Sequence, residues 1–333
     1  MKKSNQFINQ SVYNTNLKYV KLQNQTKELF FRCLDEEEDL EYFEDKLKKI
    51  WGNISHKFMD DDIEEYTEII HEENMQGKEV VEDIPRGAIA TAFALTSMAV
   101  MQKYENKMVK EKTREYKVSL NSPAYKNDKQ IYLKEKVQRY NSQIVPYYHN
   151  TATGEVRIRR VDLSTYVSMI HNTNMTRSAW NATLRDAMML GQTRFWIPPH
   201  PFACSDCVAH QGYPMSEEEV AYIADTVDEK VGDVLHPNCK CTLEIYYDDT
   251  VIPEQEYSPE ELDEQYHIRQ KVNSLTLKKE RLQTDINIQK RLGNMDEVDK
   301  LNQQRNKINS QIREQKDRLP TESLQKQVVA INR

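Results

Sequence analysis

Four of the five cysteines fall between positions 204 and 241, and their spacing constrains the chain more than any other feature. They stand as C-x-x-C (Cys204, Cys207) and C-x-C (Cys239, Cys241), within H-P-F-A-C-S-D-C-V-A-H-Q-G, then 23 residues, then H-P-N-C-K-C. A turn in C-x-x-C brings two thiolates toward one point. The period of two along an extended strand puts both sulfurs of C-x-C on one face. Together they make a donor set for tetrahedral Zn²⁺, with Zn–S bonds of about 2.3 Å, and thiolates favour zinc over hard cations. The predicted ligands are Cys204, Cys207, Cys239 and Cys241, with His236 as an alternative to one thiolate. His200 and His210 are placed nearer the rim. Two other readings stay open here. Disulfides would need an oxidising compartment. Four buried thiols without metal are also possible chemistry, because C-x-C is less diagnostic than a second C-x-x-C.

Four protein ligands leave zinc no position for water, so a structural ion is expected rather than a catalytic one. A zinc deaminase would carry H-x-E ahead of its P-C-x-x-C, and that Glu is missing. No Gly-rich phosphate loop, H-E-x-x-H or G-x-S-x-G occurs. His171 reads as a surface or capping residue, and Cys33 as a small buried hydrophobe. The expectation is a protein that is not an enzyme.

Around the cysteines the chain is written for helix. Only 8 of 333 residues are Gly, which disfavours a large antiparallel sheet with tight turns. Charged residues make up 30% and mean hydropathy is −0.82, which suits long solvated helices better than one large core. Helical spacing predicts helices over 29–51 and 60–75, and an apolar helix over 87–104 that continues as a basic one to about 117. Ser122-Pro123 breaks it, and 124–143 follows as another helix. The apolar run 87–101 is too short and too polar for a bilayer of about 30 Å and reads as a core helix, so no membrane is expected. Alternation through Val156, Ile158 and Val161 predicts a small hairpin at about 144–161, turning at Thr153-Gly154. Asp162 is a plausible N-cap for a helix containing Tyr166, Met169 and Ile170. A second helix is expected over about 175–190, with Gly191 closing it, and a strand at Phe195–Ile197. At the C-terminus, Val298, Leu301, Arg305, Ile308, Ile312, Gln315 and Leu319 step by 3 and 4, as Val272, Leu275, Leu282 and Ile286 do before them. This predicts an antiparallel coiled-coil hairpin, about 260–292 and 295–319, with Gly293 ending the first leg and Asp296 capping the second.

The net charge of −7 hides blocks. Residues 35–83 hold 19 acidic and 5 basic side chains, 103–160 hold 14 basic and 6 acidic, and 265–333 hold 15 basic and 8 acidic. The whole chain will not coat nucleic acid by charge, but the two basic segments are candidates for touching DNA or an acidic partner. The plainer reading is that these are solvated helix faces.

The segment from about 144 to 247 resembles the minor capsid and head-morphogenesis proteins of tailed bacteriophages (Mu-F-like). The resemblance rests on Val145-Pro146-Tyr147-Tyr148, the Asp162–Ile170 helix, Thr176-Arg177, Cys204 and Cys207, Gly212, and His236-Pro237-Asn238-Cys239-Lys240-Cys241. Lys240 departs from the family's Arg. The resemblance implies a structural protein acting in head assembly or DNA packaging. It implies a place at the portal or inner capsid of the virion, and in the host cytoplasm during assembly. Its implied partners are the portal protein and capsid or scaffold proteins, with packaged DNA a candidate partner of the basic segments 103–160 and 265–333 and other copies of the chain a candidate partner of the hairpin's exposed face. The family's Cys or His at the last position favours Cys241 over His236 as ligand. A zinc-knuckle nuclease, or an effector delivered with phage DNA and acting on nucleic acid, is the alternative.

The predicted fold is therefore mainly α, with a small α+β zinc-knuckle module and a C-terminal helical hairpin. The expected parts are a polar arm (1–27), a helical domain acidic then basic (28–143), the α+β module (144–250), a linker (251–259), the hairpin (260–320) and a tail (321–333).

Overall fold

The computed structural model describes residues 3–52, 56–75, 87–140, 144–150, 156–224 and 239–329. It is mainly helical, with a small three-stranded antiparallel sheet beside a two-stranded one. Residues 3–27, read from sequence as a polar arm or a loosely held helix, are the first part of one long helix, α1 (Lys3–Asp35). Ile8, Val12, Tyr19, Leu22 and Leu29 recur at helical spacing among the Asn and Gln residues, and all are buried. Tertiary burial of that stripe outweighs the weak helix propensity of the polar residues between them.

The expected 29–51 helix is broken. Glu37 takes φ 60, and Asp39 starts α2 (Leu40–Trp51) by accepting a 2.7 Å hydrogen bond from the Tyr42 amide. The acidic helix α3 (His56–Met75) and the long α4 (Gly87–Leu120) follow. The expected burial of side chains 87–101 lies outside the described residues. The 124–143 helix is split into α5 (Pro123–Asn127) and α6 (Lys129–Arg139), because Asp128 leaves helical geometry and caps α6 through the Ile131 amide. Phe30 sits where α1, α2, α4 and α6 meet, edge-on to Phe31, Phe43 and Tyr116 and tilted against Tyr140.

Strands β1 (Ile144–Asn150) and β2 (Val156–Asp162) pair antiparallel, Ile144 opposite Asp162, as the predicted hairpin; its expected turn at Thr153-Gly154 lies outside the described residues. The two helices expected next are one, α7 (Leu163–Leu190), capped by Asp162 and ended by Gly191 at φ 64. Ser, Thr, Asn and Ala interrupt its apolar pattern, which makes it look like two short helices in sequence. In the fold it packs on α1, α3 and α4, and Ser, Thr and Asn residues are buried along it beside the apolar ones. Met188, near the C-terminal end of α7, is 80% exposed.

After α7 come β3 (Arg194–Trp196), α8 (Ser205–Val208), β4 (Pro214–Ser216), α9 (Glu217–Ala224) and β5 (Glu244–Ile245). β3 is the central strand: Phe195 faces Met215 on one side and Ile245 on the other.

Helix α10 (Pro259–Arg291) opens with a full capping box between Ser258 and Glu261. The chain turns at Leu292–Asn294, with Gly293 at φ 66, into α11 (Met295–Asp317), and α12 (Glu322–Val329) closes the described chain. Asn294, not Asp296, stands at the N-cap of α11; Asp296 lies in the first turn. Leu275, Leu282 and Ile286 pack against Val298, Leu301 and Ile308. No helix among the described residues is long and apolar enough to cross a membrane.

Candidate metal centre

The centre is assembled from two loops and one helix. β3 delivers the chain into the Ile197–Ala203 loop. Gly212 closes that loop by donating its amide to the Ile197 carbonyl at 2.9 Å. Gly212 holds φ +81, and a Cβ there would lie 3.6 Å from Pro199, so the turn suits Gly on backbone grounds. Within the loop, Phe202 adopts φ 64, an outlier for a bulky residue. Its ring holds it there, buried with Ile268, Val272 and Leu319 under the Arg269 guanidinium at 4.9 Å. Cys204 then caps the single turn of α8, its carbonyl accepting from the Cys207 and Val208 amides, each at 3.1 Å.

The second cysteine pair lies on an extended segment held by α7. Asn172 and Thr176 both donate to the Cys239 carbonyl, at 2.7 and 3.1 Å. The Trp180 indole N–H donates to the Cys241 carbonyl at 2.9 Å, and the Thr183 hydroxyl to the Leu243 carbonyl at 3.0 Å. Helical steps of 3 to 4 on α7 thus meet every second carbonyl of a strand-like run.

The sulfurs of Cys207, Cys239 and Cys241 all lie within 4.8 Å of one another and are buried. Cys207 and Cys239 are 3.6 Å apart, and the Cys241 amide donates to the Cys239 sulfur at 3.5 Å. Cys204 is half-buried and packs beside this group, but its sulfur is outside the set in which every pair is that close. Of the four predicted ligands, three converge and the fourth sits at their edge. His236 lies outside the described residues. Hydrogen bonding to Cys204, Cys239 and Cys241, with burial added, holds the Cys207 thiol well above the ordinary thiol range. Buried thiols so close cannot ionise together without a cation. A soft divalent ion supplies that charge, so this donor set can hold a metal.

Two basic residues belong to this region, Lys240 between the second cysteine pair and Arg269 near Cys204. Burial, then Arg269, pulls Lys240 well below its usual range. Burial brings Arg269, on α10, down to about 10, against the opposing influence of Tyr266 and Cys204. Gln211 points its amide at the Cys241 sulfur from 3.7 Å, and His200, placed near the rim by its position in sequence, has Nε2 3.4 Å from that sulfur. Arg269 and the α7 donors carry no local motif. The one visible signal is Asn172, Thr176 and Thr183 recurring at helical spacing inside an apolar stretch.

His171 is fully buried, not at the surface or a cap. Its Nε2 lies 2.7 Å from the Ser11 hydroxyl, which itself donates to the Asp62 carboxylate. The arrangement is wrong for a nucleophile, since the acid holds the serine rather than orienting the imidazole. It ties α1, α3 and α7 together. Among the described residues, the thiol group is the only set of three or more His, Cys, Asp or Glu close enough to hold a metal.

Compared with known proteins, the chain matches no family model, no curated sequence and no solved structure.

Proposed function

We propose that this is an architectural protein of the tailed-phage minor-capsid kind, its α+β module locked by one structural zinc. The observation that carries the reading is the convergence of Cys207, Cys239 and Cys241 from separate loops onto one buried point, in the order C-x-x-C then H-P-x-C-x-C. The thiolates would hold the ion, with a further ligand from the Pro199–Cys204 loop closing its sphere, and the ion would supply cross-linking rather than catalysis. On this reading α10 and α11 form a coiled-coil hairpin that serves assembly with portal, capsid or scaffold proteins or with other copies. The basic segments 103–160 and 265–333 meet packaged DNA inside the virion. Two measurements test it. Purified full-length chain should carry one zinc, by metal analysis. It should co-sediment with heads or portal in a salt-sensitive manner. A chain that folds without metal, or that leaves heads and DNA untouched at low salt, overturns it.

A further inference from the structure

We infer that His200 supplies the fourth ligand of the metal centre, with Cys204 outside the coordination sphere. The inference rests on the reading that the thiols hold a metal. It names a ligand that the cysteine spacing does not suggest.

Three observations carry it. First, the tautomer is set. His200 Nδ1 lies 3.0 Å from the Pro201 carbonyl oxygen. A carbonyl only accepts, so Nδ1 carries the hydrogen and the lone pair of the neutral ring is on Nε2. A metal-binding histidine is commonly fixed in this way, one nitrogen donating to a carbonyl while the other faces the ion.

Second, Nε2 faces the sulfurs, 3.4 Å from Cys241 Sγ. Two ligands on one tetrahedral zinc, with Zn–N of about 2.0–2.1 Å and Zn–S of about 2.3 Å, stand about 3.6 Å apart for an N–S pair and about 3.8 Å for an S–S pair. The His200–Cys241 separation of 3.4 Å and the Cys207–Cys239 separation of 3.6 Å are each close to those edges. If Cys241 is a thiolate, it has no proton to offer the Nε2 lone pair. A cation between the two atoms satisfies both.

Third, a tetrahedral sphere that holds three thiolates and His200 is full, which leaves Cys204 outside it. Cys204 and His200 are both half-buried, and each meets the sulfur group from its edge, Cys204 at Cys207 and His200 at Cys241. The loop conformation that brings His200 inward is held from the far side by Phe202, whose ring is pinned in the α10–α11 core.

The test is zinc K-edge X-ray absorption on the full-length zinc-loaded chain, with metal content measured on the same sample. The expected result is one zinc with three sulfurs and one nitrogen in its first shell. Cys204→Ser should keep that shell and stoichiometry unchanged. His200→Asn should lose the nitrogen and weaken zinc retention against a chromophoric chelator by at least tenfold. If His200→Asn does not fold, His236→Asn decides together with Cys204→Ser: a nitrogen kept in both assigns it to His200, and a nitrogen lost in His236→Asn overturns the assignment. A shell of four sulfurs that becomes three in Cys204→Ser overturns the assignment of His200 while leaving the zinc reading standing. A chain without bound metal sinks both.

Discussion

The side-chain amide of Asn172 donates to the backbone carbonyl of Cys239 across 2.7 Å, and Thr176 donates to the same oxygen at 3.1 Å. A helix buried at the centre of the fold thereby fixes the height of the second cysteine pair. Substituting Asn172→Ala leaves that carbonyl with Thr176 alone among the two α7 donors. The expected loss is about 1–3 kcal/mol of stability. Thr176→Val should cost less. The double variant should cost more than the sum of the two, because only then does α7 offer the buried oxygen neither donor. Urea unfolding of the three variants measures this, and strict additivity would count against a shared acceptor.

If the thiols hold the proposed ion, removing it should undo the thiol module before the helices. The apolar cluster around the three-stranded sheet includes Cys207, Cys239 and Cys241 themselves, so its packing depends on where the thiols are held. The α10–α11 pair has a separate apolar seam. Chelation is therefore expected to raise amide hydrogen exchange over 194–216 and 239–247 while the Leu275–Ile308 seam stays protected. Cys239→Ser should reproduce the pattern without chelator.

Phe30 is the meeting point of aromatic rings in the N-terminal core. It is fully buried and meets four aromatic rings. Phe30→Ala is expected to cost about 3–5 kcal/mol through lost transfer energy and the cavity left behind. A thermal or chemical melt reads it, and a loss under about 1 kcal/mol would mean the rings collapse into the gap.

The loop between α10 and α11 tolerates a side chain in space but not in backbone. Gly293 has φ +66, and a Cβ added there would meet nothing within 4 Å. Gly293→Ala should thus cost only the left-handed backbone penalty, about 1–2 kcal/mol, and Gly293→Asn less. Equal losses for Ala and Asn would point to a contact instead.

Alkaline pH should unfold the chain through its tyrosines. Burial, followed by Glu280, raises Tyr13 from 10.0 to about 12, and burial raises Tyr66 further, with Glu73 and Cys239 contributing. A group whose folded pKa lies above its unfolded value stabilises the fold fully below the unfolded value. That contribution is lost as pH rises through the folded one. The share from Tyr13 should therefore fade between pH 10.0 and about 12. Tyrosinate absorbance and far-UV circular dichroism, followed together, should show buried tyrosines ionising only as helix is lost.

The periodic parts of the molecule were legible in sequence. The α10–α11 boundaries, the β1–β2 pairing, the Asp162 cap and the Gly191 stop each follow from a local rule, because a local pattern sets local dihedral angles and a buried face. The misreadings of α1 and α7 share one cause. α1 and α7 carry polar residues at buried positions, among them Thr15, Thr26, Asn172 and Thr183, and periodicity alone cannot tell such residues from a solvated face.

The chain's own order of residues determined a helical protein with two cysteine pairs able to meet. Only the tertiary structure decided that three sulfurs converge, that Cys204 and His200 each meet that group at its edge, and that Arg269 arrives from a distant helix. The physical reason is that these placements rest on backbone carbonyls and on packing between segments far apart in the chain, as with Asn172 and Cys239, 67 positions apart. Every residue carries a carbonyl, so the acceptor leaves no mark in the sequence.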